Sequence, residues 1–191
     1  RDVDGFSMTK STNKGLTIMR NTIQPMSPFM YEAEIPGNYN ITYYATEKIA
    51  ENTEHPWTVN TFGAEVVSHI WNSDTGEGVI TFNRDVTKIT DWAFYGCNVL
   101  TGIRIPASVT TIDNEAFGGC AGLEKVYIDN IEMWYNMNIN HMANPLTNEA
   151  DLYVGDKLYT DLIIPEDVTY FTHRFLGCTS IENVVLHDKI T

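Results

Sequence analysis

The stretch Lys88–Ile128, KITDWAFYGCNVLTGIRIPASVTTIDNEAFGGCAGLEKVYI, states one pattern twice. Within it "AFYGC" returns as "AFGGC", and "LTGIRI" returns as "LEKVYI". Phe94 and Phe117 lie 23 residues apart, and Cys97 and Cys120 keep the same interval. A constant interval over a whole segment indicates repeated structural units, each too small to bury its apolar side chains without a stacked neighbour.

The interval and the strand pattern together predict the fold. Repeats of roughly 20 to 29 residues that contain a short alternating strand are typical of leucine-rich-repeat solenoids. The pattern extends upstream into "VITFNRDVTKI" and downstream into "LIIPEDVTYFTHRFLGCTSIENVVL". We therefore predict a β-rich α/β solenoid with leucine-rich repeats of about 23 residues and parallel strands on one face. The predicted strands are Val79–Phe82, Thr101–Ile105, Glu124–Ile128, Thr160–Ile164 and Glu182–Leu186.

The chain divides into three regions on the same evidence. Residues 1–40 form an N-terminal extension that is rich in turn residues and carries no repeat. Residues 41–82 are predicted to form an N-terminal cap, because "EVVSHIW" and "GVITF" alternate like the two strands of a β-hairpin. We expect that hairpin to cover the open edge of the first repeat. Residues 83–191 hold the repeats.

The repeat region contains an irregular insertion at residues 129–161, where the interval between predicted strands grows from 23 to 36 residues. In that insertion "LYVGDKLYTDLII" predicts a hairpin that turns at Gly155 and Asp156. Insertions in repeat proteins lie on one face and often carry binding. The final residues "DKIT" begin another repeat at Ile190, so we expect the repeats to continue beyond Thr191.

The charge of the chain excludes two classes of partner. The 191 residues include 12 Lys or Arg and 25 Asp or Glu, which gives a formal net charge of −13. Nucleic-acid binding needs Lys and Arg against the phosphates, and a polybasic membrane patch needs them too. No apolar run reaches the roughly 18 residues of a transmembrane helix. The composition therefore predicts no nucleic-acid partner and no membrane insertion within this chain.

The sequence lacks the motifs of common active sites. The five histidines have no metal-ligand spacing, and neither H-E-x-x-H nor C-x-x-C occurs. There is also no G-x-S-x-G, no Walker loop and no G-x-G-x-x-G. Because the repeat accounts for nearly every apolar residue, we predict no catalytic residue, no metal site, no cofactor and no enzymatic activity.

The three cysteines, Cys97, Cys120 and Cys178, occupy the same position in their repeats. One interpretation is a redox pair or a metal site. The other is a core ladder of small apolar thiols. Side chains in a parallel ladder do not point at each other, so we predict three reduced and buried thiols.

Several motifs resemble one family. "AFYGCNVLTGIRIPASVTTIDNEAFGGCAGL" is similar to the BspA-like leucine-rich repeat of bacterial cell-surface proteins, and "TFGAEVVSHIWNSDTGEGVITF" is similar to the cap before those repeats. "ANPL" followed by "LYVGDKLYTDLIIP" resembles an irregular repeat of the same family. The resemblance covers residues 41–191. It departs at Arg174, where Ala is expected, and at Tyr170–Phe171, where Ile-Gly is usual.

The resemblance implies a class of function. It implies a protein that is extracellular or on a bacterial cell surface and that mediates adhesion, binding a host matrix protein, a cell-surface protein or a glycan. An alternative stays open, in which the segment is a structural spacer or an accessory module of a larger secreted glycan-degrading enzyme. A catalytic domain elsewhere in the reading frame would favour the alternative.

A candidate binding site follows from the strand alternation, because the residues between the apolar ones point outward. Arg104, Lys125 and Tyr127 hold such positions on adjacent predicted strands of an otherwise acidic protein. Arg and Tyr are enriched at interface hot spots, so these residues are candidates to bind an acidic or planar group. The alternatives are a solvated face with ordinary surface charges, or a site around Trp134 and Asn144. The other predicted outward residues are Val79, Thr81, Gly102, Asp161, Ile163, Asn183 and Val185.

Overall fold

The computed structural model describes residues 39–50, 56–140, 142–166 and 173–188. Contacts divide the chain into two units, Arg1–Glu34 and Ile35–Thr191, and the described residues all belong to the second unit. Nearly all of the predicted N-terminal extension lies outside the described residues. So do Tyr170–Phe171 and the repeat predicted to begin at Ile190.

Strands dominate the described structure, and they form three sheets. The elements of the described ranges are β1 Asn40–Ala45, α1 Val59–Phe62, β2 Val66–Asn72, β3 Glu77–Phe82, β4 Lys88–Ile89, β5 Leu100–Ile105, β6 Thr111–Ile112, β7 Lys125–Ile128, α2 Ile131–Asn136, β8 Asn138–Ile139, β9 Asp151–Val154, β10 Lys157–Leu158, β11 Asp161–Ile163 and β12 Asn183–Val185. Two 3-10 turns lie at Pro145–Asn148 and His173–Phe175. The large sheet has the strand order β10-β9-β7-β5-β1-β3-β2, the second sheet is β4-β6-β8, and the third is β11-β12.

The repeat is clearest at β5 and β7. The two strands are parallel neighbours, with Ile103 opposite Val126 and Ile105 opposite Ile128. All four side chains are fully buried, which agrees with the predicted inward alternation. The strands β4, β6 and β8 are also parallel neighbours. A repeat therefore contributes one strand to the large sheet and one to the second sheet, and the apolar side chains of both belong to one buried cluster.

The N-terminal hairpin forms, but it does not cover the first repeat strand. β2 and β3 pair antiparallel as predicted, whereas β1 lies between β3 and β5 and is antiparallel to both. The prediction that Val79–Phe82 begins one continuous parallel sheet is therefore wrong. Two glycines make the room, since Tyr43 of β1 is opposite Gly78 and Tyr44 is opposite Gly102. A Cβ atom at position 78 would overlap the Tyr43 ring, and one at position 102 would make a tight contact with Tyr44, so each glycine gives its tyrosine room over the backbone.

The region predicted as an irregular insertion contains a complete repeat. The helix α2 and the strand β8 follow β7, and β9 then pairs with β7, with Asp151 opposite Lys125. The spacing is thus 26 residues and not the predicted 36, and α2 accommodates the extra length over the regular repeat. β9 and β10 form the predicted hairpin with its turn at Gly155 and Asp156. Both "LIIP" and "LYV" fit the strand pattern of the repeat, and it is "LYV" that pairs with β7, although only "LIIP" carries the proline found after β5.

The last two strands lie apart from the large sheet. β11 pairs in parallel with β12, and Leu162 is opposite Val184. Leu162 is buried, whereas Val184 is 53% exposed. The prediction of a single sheet is wrong here because the hairpin strand β10 takes the edge of β9. The next strand of the chain therefore has no free edge there with which to pair.

Arg174, which stands where the family pattern has alanine, hydrogen-bonds to the end of helix α2. Its guanidinium donates to the carbonyl oxygen of Trp134 at 3.1 Å and to that of Met137. The last carbonyls of a helix lack intrahelical partners, and positive charge is favourable there. The indole nitrogen of Trp134 donates back to the carbonyl oxygen of Arg174 at 3.1 Å. The departure from the family pattern thus ties the last 3-10 turn to α2.

The three thiols differ in burial. All are free. Cys120 is completely buried, and burial raises its pKa to about 12. Cys97 and Cys178 are only partly buried. The prediction of three buried thiols is right for Cys120 and wrong for Cys97 and Cys178, so a shared position in the repeat does not by itself ensure the same burial.

Candidate binding surface

The predicted site residues lie on the outward side of β5 and β7. Arg104 is opposite Tyr127, and Gly102 is opposite Lys125. The guanidinium carbon of Arg104 lies 4.9 Å from the centroid of the Tyr127 ring, which is within the range of a cation–π contact. Lys125 is exposed on the same strand as Tyr127. The structure therefore brings Arg104 and Tyr127 into contact and places Lys125 beside them.

Two further tyrosines extend this contact, and the sequence reasoning missed both. The Tyr127 ring is stacked on Tyr153 of β9 at 4.8 Å between centroids, and it lies 5.7 Å from Tyr44 of β1. Neighbouring strands are themselves about 4.8 Å apart, so stacked rings at that spacing stand upright with their edges toward solvent. Tyr44, Tyr127 and Tyr153 are called the tyrosine ladder below.

Gly102 allows Tyr44 to join the ladder. Tyr44 and Tyr127 are on strands that flank β5, so the Tyr44 ring must lean over the backbone of β5 to reach its partner. A Cβ atom at position 102 would lie 3.1 Å from Cδ2 of Tyr44. A glycine inside a predicted strand is a sequence signal of such a close approach. The matching triplets "VYI" and "LYV" are the signal that relates Tyr127 to Tyr153.

Asp156 places a carboxylate on Arg104. Nη2 of Arg104 donates to Oδ1 of Asp156 at 2.5 Å, and the Arg104 side chain is 28% exposed against 89% for Asp156. Asp156 lies in the turn between β9 and β10, so the ion pair spans the ladder from β5 to the hairpin. Desolvation alone would lower the pKa of Arg104, but the hydrogen bond and charge of Asp156 raise it overall. Arg104 therefore stays charged.

Tyr127 stays protonated in this setting. Burial raises its pKa, and so do the neighbouring Tyr44 and Tyr153, while Arg104 acts in the opposite direction. Its hydroxyl group can thus donate as well as accept. The arrangement offers tyrosine hydroxyl groups and the charged guanidinium of Arg104 to a partner.

The remaining predicted positions fall outside this cluster. Asp161, Ile163, Asn183 and Val185 are exposed, but they lie on the two-stranded sheet. Val79 and Thr81 lie on β3, on the far side of β1. Trp134 and Asn144, the second place for a site, are fully buried and cannot touch a partner in this conformation.

In the part of the chain that the structure describes, no group of three or more His, Cys, Asp or Glu side chains is arranged to hold a metal ion. Across the same residues, no helix has the length and apolar character needed to cross a bilayer.

The fold and this surface define a class, a repeat protein dominated by strands with an ordered cluster of Arg and Tyr on an exposed sheet face. Residues 70–191 match the model of the BspA type leucine-rich repeat region, in six copies. The chain belongs to that family, whose members are generally non-enzymatic.

The chain is similar to a leucine-rich cell surface protein from Faecalibacterium prausnitzii A2-165, with 22% identity and a TM-score of 0.33. That similarity covers 71% of this chain and 43% of the other, so this chain spans less than half of that protein. No curated protein matches the chain.

Proposed function

We propose that this chain is a recognition module of an extracellular or cell-surface protein, a solenoid that mediates adhesion by binding a protein through its exposed strand face. The observation that carries the proposal is the contact of Arg104 with Tyr127 inside the tyrosine ladder. Side chains already held in one conformation lose little entropy on binding. Tyr and Arg are also the residue types enriched at interface hot spots.

The geometry favours a protein over a glycan as the partner. A sugar ring binds an aromatic side chain by placing its C–H groups on the open ring face, where the π electrons are concentrated. The faces of Tyr127 are already in contact with Arg104 on one side and Tyr153 on the other. The edges and hydroxyl groups that remain suit the mixed polar and apolar contacts of a protein interface. The proposed partner is therefore a host matrix protein or a cell-surface protein.

One observation supports a second candidate, the structural spacer or accessory module of a secreted glycan-degrading enzyme. Arg104 already has a carboxylate partner in Asp156. The cluster is thus satisfied without any ligand and stabilises the sheet face by itself. In that case no partner contacts the tyrosine ladder, and binding lies with another part of the parent protein.

The test compares two double variants. Arg104→Ala with Tyr127→Ala removes the centre of the cluster, and Arg84→Ala with Tyr95→Ala removes the same side chains from exposed positions outside it. Binding is measured on immobilised panels of extracellular matrix proteins and glycans. We expect wild type and control to bind a matrix protein and the first variant to lose at least about 30-fold in affinity, because two hot-spot residues are gone. Equal binding by the two folded variants, or no binding by wild type, would contradict the proposal.

A further inference from the structure

The two halves of the Arg104–Asp156 ion pair are held very differently. Arg104 is fixed by its contact with the Tyr127 ring, and that ring is backed by Tyr153. Asp156 reaches out from a hairpin turn, and its side chain is 89% exposed. The cation is therefore the fixed half of the pair, and the carboxylate is the half that can leave.

The cost of releasing Asp156 is small. An ion pair with one almost fully hydrated partner contributes little to stability, since water solvates the free carboxylate nearly as well. The described contact uses Nη2 of Arg104 alone. A guanidinium has five donors and binds a carboxylate best through two parallel hydrogen bonds. A carboxylate that approaches from solvent is free to adopt that paired geometry, whereas Asp156 is restrained by its turn.

We infer that Asp156 stands in for a carboxylate of the partner, and that the surface binds an acidic side chain of a protein at Arg104 once Asp156 has been displaced. This inference rests on the proposed function and names the chemistry of its central contact. Lys125, exposed one strand away, adds a second positive charge. The stacked rings hold the guanidinium in place before the partner arrives, which lowers the entropy cost of binding.

The charge of the whole chain limits the kind of acidic partner. With a net charge of −13, the chain repels a strongly acidic protein as a whole. Salt screens exposed charges beyond roughly 8 Å at physiological ionic strength. Arg104 therefore attracts only a carboxylate that comes close to it. The partner is thus a protein that presents one or a few carboxylates within a neutral or basic surface.

The experiment uses a defined acidic probe and two isosteric variants. Asp156→Asn removes the internal carboxylate, and Asp74→Asn removes the same charge from the turn of the other hairpin, so both variants have the same net charge. Each 15N-labelled protein is titrated with an N-acetylated tri-glutamate amide, and with the tri-glutamine amide as the uncharged probe. The side-chain Nε–H signal of Arg104 and the backbone signals of β9 and β10 report binding.

We expect Asp156→Asn to bind the tri-glutamate about 3-fold more tightly than Asp74→Asn does, because the internal carboxylate no longer competes for Arg104. Arg104→Gln should not bind it, and no protein should bind the tri-glutamine. Equal affinities for the two Asn variants, or binding of both peptides, would overturn the inference. If the matrix-protein binding described above still depends on Arg104 and Tyr127, the proposed function survives that outcome. Conversely, the expected tri-glutamate binding without any matrix-protein binding would support the capture of a carboxylate at Arg104 and would contradict the proposed role in adhesion.

Discussion

The repeat that ends at β7, called the middle repeat below, and the repeat that ends at β12, called the last repeat, share one sequence pattern but differ in burial. Val126 of β7 is fully buried, whereas Val184, at the same position of β12, is 53% exposed. Ile128 is likewise fully buried, and its counterpart Leu186 is 60% exposed. β7 has a parallel neighbour on each side, while β12 pairs with β11 alone among the described strands. The sequence pattern therefore specifies a position in the repeat, and neighbouring strands on both sides determine whether that position is buried.

The largest expected effect is at the repeated phenylalanine. Phe117 is 1% exposed and stacks on Phe94 at 5.3 Å, with 10° between the ring planes. We expect Phe117→Ala to lower the free energy of unfolding by about 3–5 kcal/mol, because it leaves a cavity between stacked repeats. Phe175 holds the same position in the last repeat but is only half buried. Phe175→Ala should therefore cost about 1 kcal/mol, near the average for a point substitution.

Urea unfolding monitored by circular dichroism measures both variants, and the comparison is valid if the slope m is unchanged. Equal losses in the free energy of unfolding for the two variants would contradict the view that neighbours on both sides make the middle repeat more deeply buried than the last one.

A smaller effect is expected at Arg174, where the last repeat departs from the alanine of its predecessors. Arg174→Ala restores the family residue but leaves the carbonyl oxygens of Trp134 and Met137 without the guanidinium. We expect a loss of about 1–3 kcal/mol, which is typical for removing charge-assisted hydrogen bonds. Ala116 lies at the same position of the middle repeat and is fully buried, where an unpaired charge would be unfavourable. An unchanged or raised stability of Arg174→Ala in the same urea experiment would contradict this role.

The smallest expected effect is a difference in the reaction rates of the three thiols, which is measured without substituting any residue. Only the thiolate reacts with alkylating reagents, and the raised pKa of Cys120, about 12, leaves almost none at pH 8. We expect Cys97 and Cys178, which are partly exposed, to react at least ~10-fold faster than Cys120 in the native protein. Mass spectrometry of digests after timed iodoacetamide treatment measures the three rates. Equal rates would show that the middle repeat opens as readily as its neighbours.

The sequence predicts those features of the fold that depend on the local pattern of apolar and polar residues. Strict alternation and a constant interval place β5 and β7 and their buried residues correctly, because each strand has the core on one face only. The position of β1 cannot be read in the same way, since its pairing depends on distant glycines, Gly78 and Gly102. The spacing error at β9 arose because two segments, "LYV" and "LIIP", both match the strand pattern.

The candidate surface was predicted in part for the same reason. Arg104, Lys125 and Tyr127 follow from alternation on adjacent strands. Tyr44 and Asp156 join them through tertiary contacts, a ring that leans across a glycine and an ion pair from a hairpin turn. Such contacts depend on which strands become neighbours, and local pattern carries no information about that.

The most direct test of the central claim, that a protein partner binds the outward face of β5 and β7, is a lysine footprint of the complex. Lys125 is exposed on that face, and Lys88 lies on β4 in the second sheet. The protein is acetylated with and without a matrix protein identified by the binding panel, and the rate at each lysine is measured by mass spectrometry. We expect the partner to slow acetylation of Lys125 several-fold and to leave the acetylation rate of Lys88 unchanged. Protection of Lys88 with no protection of Lys125 would contradict the central claim.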